Sequence, residues 1–171
     1  MSANYVQSVE VKLPEGARFA QIFGIVLQLL GLGLIAVAVL YSPYAAIAVV
    51  ALFLAGGAMT WRFYSAARKF DYSASDIRLA VIKTNLVGQS KIIADIRYDM
   101  MTAFELFRDA ASAGDIVATG VLSDPGVYAA TCRGDAGEFR VLFAPDEYLV
   151  SLIKDAVSAA NRKREGEGGG K

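Results

Sequence analysis

The chain has 171 residues, 55% of them hydrophobic, with 17 lysines and arginines balanced by 17 aspartates and glutamates. Zero net charge gives no electrostatic pull toward nucleic acid or acidic lipid. The complete lack of histidine removes His-based triads and most zinc or copper sites, and a single cysteine, Cys132, rules out an intramolecular disulfide.

Positions 1–18 form a mixed-charge tail carrying Glu10, Lys12, Glu15 and Arg18. From 19 to 61 no charged side chain occurs, and Ser42-Pro43 lies near the middle of that stretch. About 20 helical residues cross a hydrocarbon core of roughly 30 Å, so the stretch suffices for two crossings. The spacing predicts a transmembrane hairpin over 19–64, with helices at about 19–41 and 45–64. A cleavable signal peptide would have a more basic start and a shorter apolar core. Tyr41 and Tyr44 suit the headgroup zone at the connection, and Trp61, Phe63 and Tyr64 flank Arg62 at the other side. Lys12, Arg18, Arg62, Arg68 and Lys69 sit at the outer ends while the connection is uncharged. The positive-inside rule then places both termini in the cytoplasm of a two-pass plasma-membrane protein.

In the first span Gln21, Gly24, Gln28, Gly31 and Ala38 share one helical face, a candidate helix-packing surface. Ala48, Ala51, Ala55, Gly56 and Ala58 offer a matching small surface on the second. These faces serve packing within the hairpin or, alternatively, a homo-oligomer or partner helix. A proton or substrate path would call for ionisable residues.

After Arg68-Lys69 the pattern changes to short alternating runs, which predicts a cytoplasmic β-rich domain over 66–160. Strands are expected at 70–73, 77–84, 91–98, 100–107, 116–121, 127–133 and 138–143. Asn85–Gln89 with Gly88 makes one turn, Asp124-Pro125-Gly126-Val127 a type II turn, and Gly134–Gly137 a hairpin loop. Asp109–Asp115 reads as a loop or a single helical turn.

From Pro145 the period becomes helical. Tyr148, Leu149, Leu152, Ile153, Ala156 and Val157 fall on one side, opposite Lys154, Asp155 and Ser158. Asp146 and Glu147 complement the positive end of the helix dipole. Burying four or five such side chains contributes on the order of 10 kcal/mol before ordering costs. Positions 161–171, glycine-rich with Arg162-Lys163-Arg164, read as a disordered tail.

No catalytic, cofactor-binding or metal-binding residues are expected. Asp95 with Asp99 and Asp146 with Glu147 are carboxylate pairs, but they read as solvated strand-end and helix-start groups. Cys132 alternates with Tyr128 and Ala130 as a buried small hydrophobe. Arg62, Arg68, Lys69, Lys83 and Lys91 are the candidate contacts for lipid head groups.

Seven strands followed by an amphipathic helix resemble the pleckstrin-homology-like (PH-like) barrel, in which a bent sheet is plugged by the final helix. The resemblance rests on Val127–Ala130, Phe139–Ala144 and Pro145-Asp146-Glu147. With the hairpin in front, the layout is similar to small two-pass bacterial membrane proteins carrying a PH-like domain. It implies a fold and a topology and no activity. Phosphoinositide-binding PH modules carry a basic cluster between the first strands; here the loop from Lys83 to Lys91 holds only those two lysines. The expected function is a non-enzymatic membrane-anchored interaction or scaffold module that binds a membrane or cytoplasmic protein and assists assembly of a membrane complex. The alternative is an anionic-lipid or signalling-lipid binder at the inner leaflet. A membrane enzyme or transporter component is the third reading.

Overall fold

The computed structural model describes residues 5–13, 15–40, 44–134 and 137–168. The chain divides into two compact units, a helical pair within Lys12–Ala66 and a β-rich unit assembled from segments on both sides of it.

The helical unit consists of α1 (Glu15–Leu40) and α2 (Tyr44–Tyr64). Both helices are long and apolar enough to cross a membrane. Only a narrow face of each is covered. Gly24 and Gly31 on α1 and Gly56 on α2 are buried, whereas Phe19, Ile22, Leu29, Leu30, Ile47 and Leu54 are exposed. The helices meet where side chains vanish. A Cβ on Gly56 would lie 2.6 Å from the Gly24 carbonyl oxygen, and one on Gly24 would lie 3.0 Å from the Gly56 oxygen. Such backbone approach is the packing mode available to helices in lipid. Gln21 Nε2 donates to Tyr64 Oη at 3.3 Å, and Thr60 Oγ1 donates to the Gly56 carbonyl at 2.8 Å.

Of the expected packing face of α1, Gly24, Gln28 and Gly31 lie against α2, and Gln21 reaches Tyr64. The expected face of α2 needs correction. Gly56 is buried, but Ala48, Ala51, Ala55 and Ala58 are all exposed, and Val49, Leu52 and Thr60 are among the half-buried positions. The reason is helical phase: once Gly56 is fixed against Gly24, residues four before and four after it turn inward. The connecting residues 41–43 lie outside the described residues.

The β-rich unit opens with a strand that the sequence reading treated as a tail. β1 (Tyr5–Glu10) precedes the helical pair, yet it runs antiparallel to β2 (Ala67–Ala74), which follows that pair, with Tyr5 opposite Ala74 and Glu10 opposite Lys69. β3 (Arg78–Asn85) and β4 (Ser90–Arg97) complete a sheet ordered β1-β2-β3-β4. A 3₁₀ turn at Tyr98–Met100 leads to β5 (Met101–Leu106). β6 (Ile116–Val117), β7 (Tyr128–Gly134) and β8 (Gly137–Phe143) follow, and the second sheet has the order β5-β7-β8-β6.

Two four-stranded sheets thus replace the expected seven-stranded barrel, and no ladder closes them among the described residues. β6 spans two residues instead of 116–121. Its neighbour Thr119 turns its hydroxyl to the Val121 carbonyl, a local bond that competes with strand pairing. At 124–127 the Val127 amide bonds the Asp124 carbonyl at 3.2 Å, but Gly126 lacks the positive φ of a type II turn. Positive φ appears at Gly88 (88°), closing the β3–β4 turn, and at Gly137 (120°). Residues 135–136 of the expected hairpin loop lie outside the described residues. Segment 109–115 is a loop, held by a bidentate ion pair from Arg140 to Asp115 at 3.0 and 2.8 Å.

The alternating strands deliver Tyr72, Leu79, Val81, Ile96, Met101, Val141 and Phe143 into one core, all at 2% exposure or less. Tyr72 donates to the Ala118 carbonyl at 2.7 Å and stands edge-on to Phe143. Cys132 is fully buried, as expected.

The final helix α3 (Glu147–Gly168) covers this core through Leu149 and Ile153, both at 0% exposure. Asp146 caps it, accepting the Leu149 amide at 2.7 Å. β1 binds the same corner: Gln7 Oε1 accepts the Asp146 amide at 2.9 Å, and the Tyr5 hydroxyl donates to Asp146 Oδ2 at 2.5 Å. α3 runs through Gly168, so the described part of the expected disordered tail, 161–168, is helical. Arg, Lys and Glu are strong helix formers that extend an already nucleated helix. Residues 169–171 lie outside the described residues.

Candidate functional site

The β-rich unit carries an open groove of about 1000 Å³ between the end of the first sheet and α3. One wall begins at the β2–β3 turn, where the Ser75 amide bonds the Arg78 carbonyl at 2.9 Å. The 3₁₀ turn docks on it because the Tyr98 amide donates to the Ile77 carbonyl at 3.1 Å. Those two bonds bring Asp76, Ile77 and Arg78 beside Tyr98, Asp99 and Met100. The opposite wall is the flank of α3, where Ala156, Ala159, Ala160 and Lys163 recur at helical spacing. Small side chains keep that wall shallow.

Charge in the groove is largely consumed internally. Arg78 Nη1 lies 3.4 Å from Asp95 Oδ2, and Arg97 Nη2 lies 2.6 Å from Asp99 Oδ2. Asp76 and Lys163, both exposed, have no ion-pair partner among the described residues. Tyr98 is 2% exposed as a residue and lines the groove. Burial pushes the Tyr98 phenol up to about 12, with the Asp76 carboxylate adding to the effect. It is therefore a neutral O–H at any physiological pH.

A second recess of about 580 Å³ adjoins this groove and shares Asp76, Ile77, Arg78 and Asp95 with it. Its floor is the outer face of the first sheet, where Val6 and Ile92 are exposed.

Of the residues that sequence reasoning proposed for lipid contact, Lys83 and Lys91 come together. They are direct cross-strand partners in the β3–β4 ladder. Lys69 is engaged by Asp71 at 2.9 Å. Arg68 is exposed on β2, and Arg62 is exposed in the last turn of α2. Asp95 and Asp99 do not form a carboxylate pair, since each faces its own arginine. Asp146 is the cap of α3, not a chemical group awaiting a substrate.

Asp76, Tyr98 and the alanine flank of α3 were missed. The recurrence Ala156, Ala159, Ala160, Lys163 was visible as a small-residue flank beside the apolar stripe. Tyr98 looked like the last residue of a strand, and only the tertiary bond to Ile77 turns it into a groove residue. Comparison with protein-family models, with curated proteins and with solved structures returns no match to this chain.

Proposed function

We propose that the protein is a membrane-anchored interaction module. Its two apolar helices cross the plasma membrane, and its β-rich unit, PH-like in element order, works on the cytoplasmic side. Three features support the anchoring. The spans expose large apolar side chains to their surroundings. The outer ends carry the positive charge. The β1–β2 ladder joins the chain before α1 to the chain after α2, which calls for an even number of crossings.

The observation that carries the interaction role is the groove beside α3, a recess of about 1000 Å³ whose α3 wall is lined by Ala156, Ala159 and Ala160. Grooves of this kind take extended or helical segments of partner proteins. A photo-crosslinking residue at Ala159 of the full chain, in its own membrane, is expected to give a discrete adduct. The same residue at Lys154, on the exposed side of α3, is the control. Equal adducts at both positions, or none at Ala159, would remove this reading.

A second reading is favoured by one specific contact. Lys83 directly opposite Lys91 is a like-charge pair that destabilises a ladder unless an anion lies against it. Acidic lipid head groups would supply that anion. Native mass spectrometry of detergent-extracted protein is expected to show phosphatidylglycerol retained by the wild type and lost from Lys83→Ala/Lys91→Ala. Unchanged retention would eliminate the lipid reading.

A further inference from the structure

We infer that the β-rich unit seats on the anionic inner leaflet through the exposed pair Val121-Leu122, with Lys12 and Arg68 beside it meeting lipid phosphates. This rests on the membrane-anchored reading and adds a lipid contact outside the two spans. It uses neither the groove nor Lys83 and Lys91.

The loop that carries the pair is fixed by hydrogen bonds. The Ala118 amide donates to the Leu142 carbonyl at 2.8 Å, and the Ala118 carbonyl accepts the Tyr72 hydroxyl at 2.7 Å. Thr119 is buried, its hydroxyl turned to the Val121 carbonyl. Directly after these covered residues the chain turns large apolar side chains outward: Val121 is 46% and Leu122 37% exposed. Among the described residues of the β-rich unit, no other two consecutive large hydrophobic residues are both exposed.

The place of the loop in the fold supplies its occupant. A Cβ on Gly120 would lie 3.2 Å from Val11 Cγ1, and the Val11 amide donates to the Arg68 carbonyl at 2.9 Å. The loop therefore lies at the end of the β1–β2 ladder from which the chain leaves for α1 and to which it returns from α2. Val11 precedes the first span, which begins at Gly16, by five residues, and Arg68 follows the second, which ends at Tyr64, by four. Extended chain reaches at most about 3.6 Å per residue, so these tethers hold the ladder end within roughly 18 and 14 Å of the spans. The head-group zone itself adds about 5–8 Å on each side of the hydrocarbon core. A leaflet tethered this closely is always at hand, whereas a soluble partner has to be supplied from solution.

Charge agrees with that occupant. The chain is neutral as a whole, so its attraction to lipid has to be local. Lys12, next to Val11, and Arg68 are both exposed and form no ion pair among the described residues. Two cations beside an apolar pair match the layering of a leaflet, with phosphates outside and acyl chains beneath.

The test uses the full chain in nanodiscs, in a Cys132→Ala background, with an environment-sensitive fluorophore on Leu122→Cys. With phosphatidylglycerol present, lipids carrying a head-group nitroxide are expected to quench this probe several-fold more than one on Lys154→Cys, an exposed position on α3. Adding Lys12→Ala/Arg68→Ala, or using phosphatidylcholine alone, is expected to reduce that quenching several-fold. A Leu122 probe quenched no more than the Lys154 probe, or quenching indifferent to lipid charge, would overturn the assignment. A Leu122 probe shielded in native membranes but unquenched in nanodiscs would give the pair to a protein and overturn it too. A probe on Leu30→Cys, exposed on α1, separates the two levels. If acyl-chain nitroxides quench it while Leu122 stays unquenched, the leaflet seat falls and the anchoring reading stands. If it is unquenched as well, both fall.

Discussion

The two units use the same apolar side chains in opposite ways. In the helical unit Phe19 is 72% exposed and Leu29 60%, and the buried positions are glycines. In the β-rich unit Tyr72, Leu79, Phe143, Leu149 and Ile153 are fully covered. Side chains that water would expel stay outside in one unit and fill the interior of the other. The difference teaches that the two units are held together in different ways. The β-rich unit is held by apolar burial, which water drives. The helical unit is held by backbone approach at Gly24 and Gly56, which needs no water at all.

The comparison can be broken most severely at α3. Ending the chain at Ala144 removes Leu149 and Ile153 from the core, and the β-rich unit is expected to lose its cooperative thermal transition while α1 and α2 keep their helical signal. The milder Leu149→Ala is expected to cost about 2–5 kcal/mol in the β-rich unit alone, read by chemical denaturation in detergent. In the helical unit the matching test is Gly56→Val. Its new side chain meets the Gly24 carbonyl and Gln28, so a destabilisation of about 1–3 kcal/mol is expected, read as weakened helix pairing by engineered crosslinks. Gly57→Ala, with open space at its Cβ, should leave pairing intact.

A smaller effect sharpens the account of the β-rich unit through pH. The Arg140 guanidinium holds the Asp115 carboxyl down to about 2, below its ordinary value of 3.8. A depressed carboxyl contributes stability that is full above pH ~4 and is lost as pH falls toward 2. Asp115→Asn is expected to remove about 1 kcal/mol at neutral pH and to flatten that acid limb, since Arg140 remains partly exposed and screened. The smallest effect is chemical. Burial pushes the Cys132 thiol up to about 12, so maleimide should label the unfolded chain and spare the native one.

Much of this architecture was legible because burial writes a period into the sequence. The charge-free stretch gave the two helices within a few residues at each end, and short apolar runs between turn residues gave β3, β4, β7 and β8. β1 stayed hidden for a physical reason. Tyr5, Val9 and Val11 do alternate toward the core, but polar Gln7 takes an inward position and apolar Val6 an outward one, and the partner strand lies beyond the whole helical pair. The face of α2 was misjudged because a run rich in alanine contains no phase information; the contact at Gly24 chooses it. The groove was legible only in its α3 half. Its other half depends on the Tyr98–Ile77 bond and on arginines that neutralise two of three aspartates, and neither can be read from spacing.

The most direct measurement asks on which side of the membrane the two ends of the chain lie. In a Cys132→Ala background, Val6→Cys reports β1 and Lys154→Cys reports α3, both at exposed positions. A membrane-impermeant maleimide is expected to spare both in intact cells and to label both in inside-out vesicles. Labelling of the two positions from opposite faces would contradict a β-rich unit assembled across a membrane hairpin.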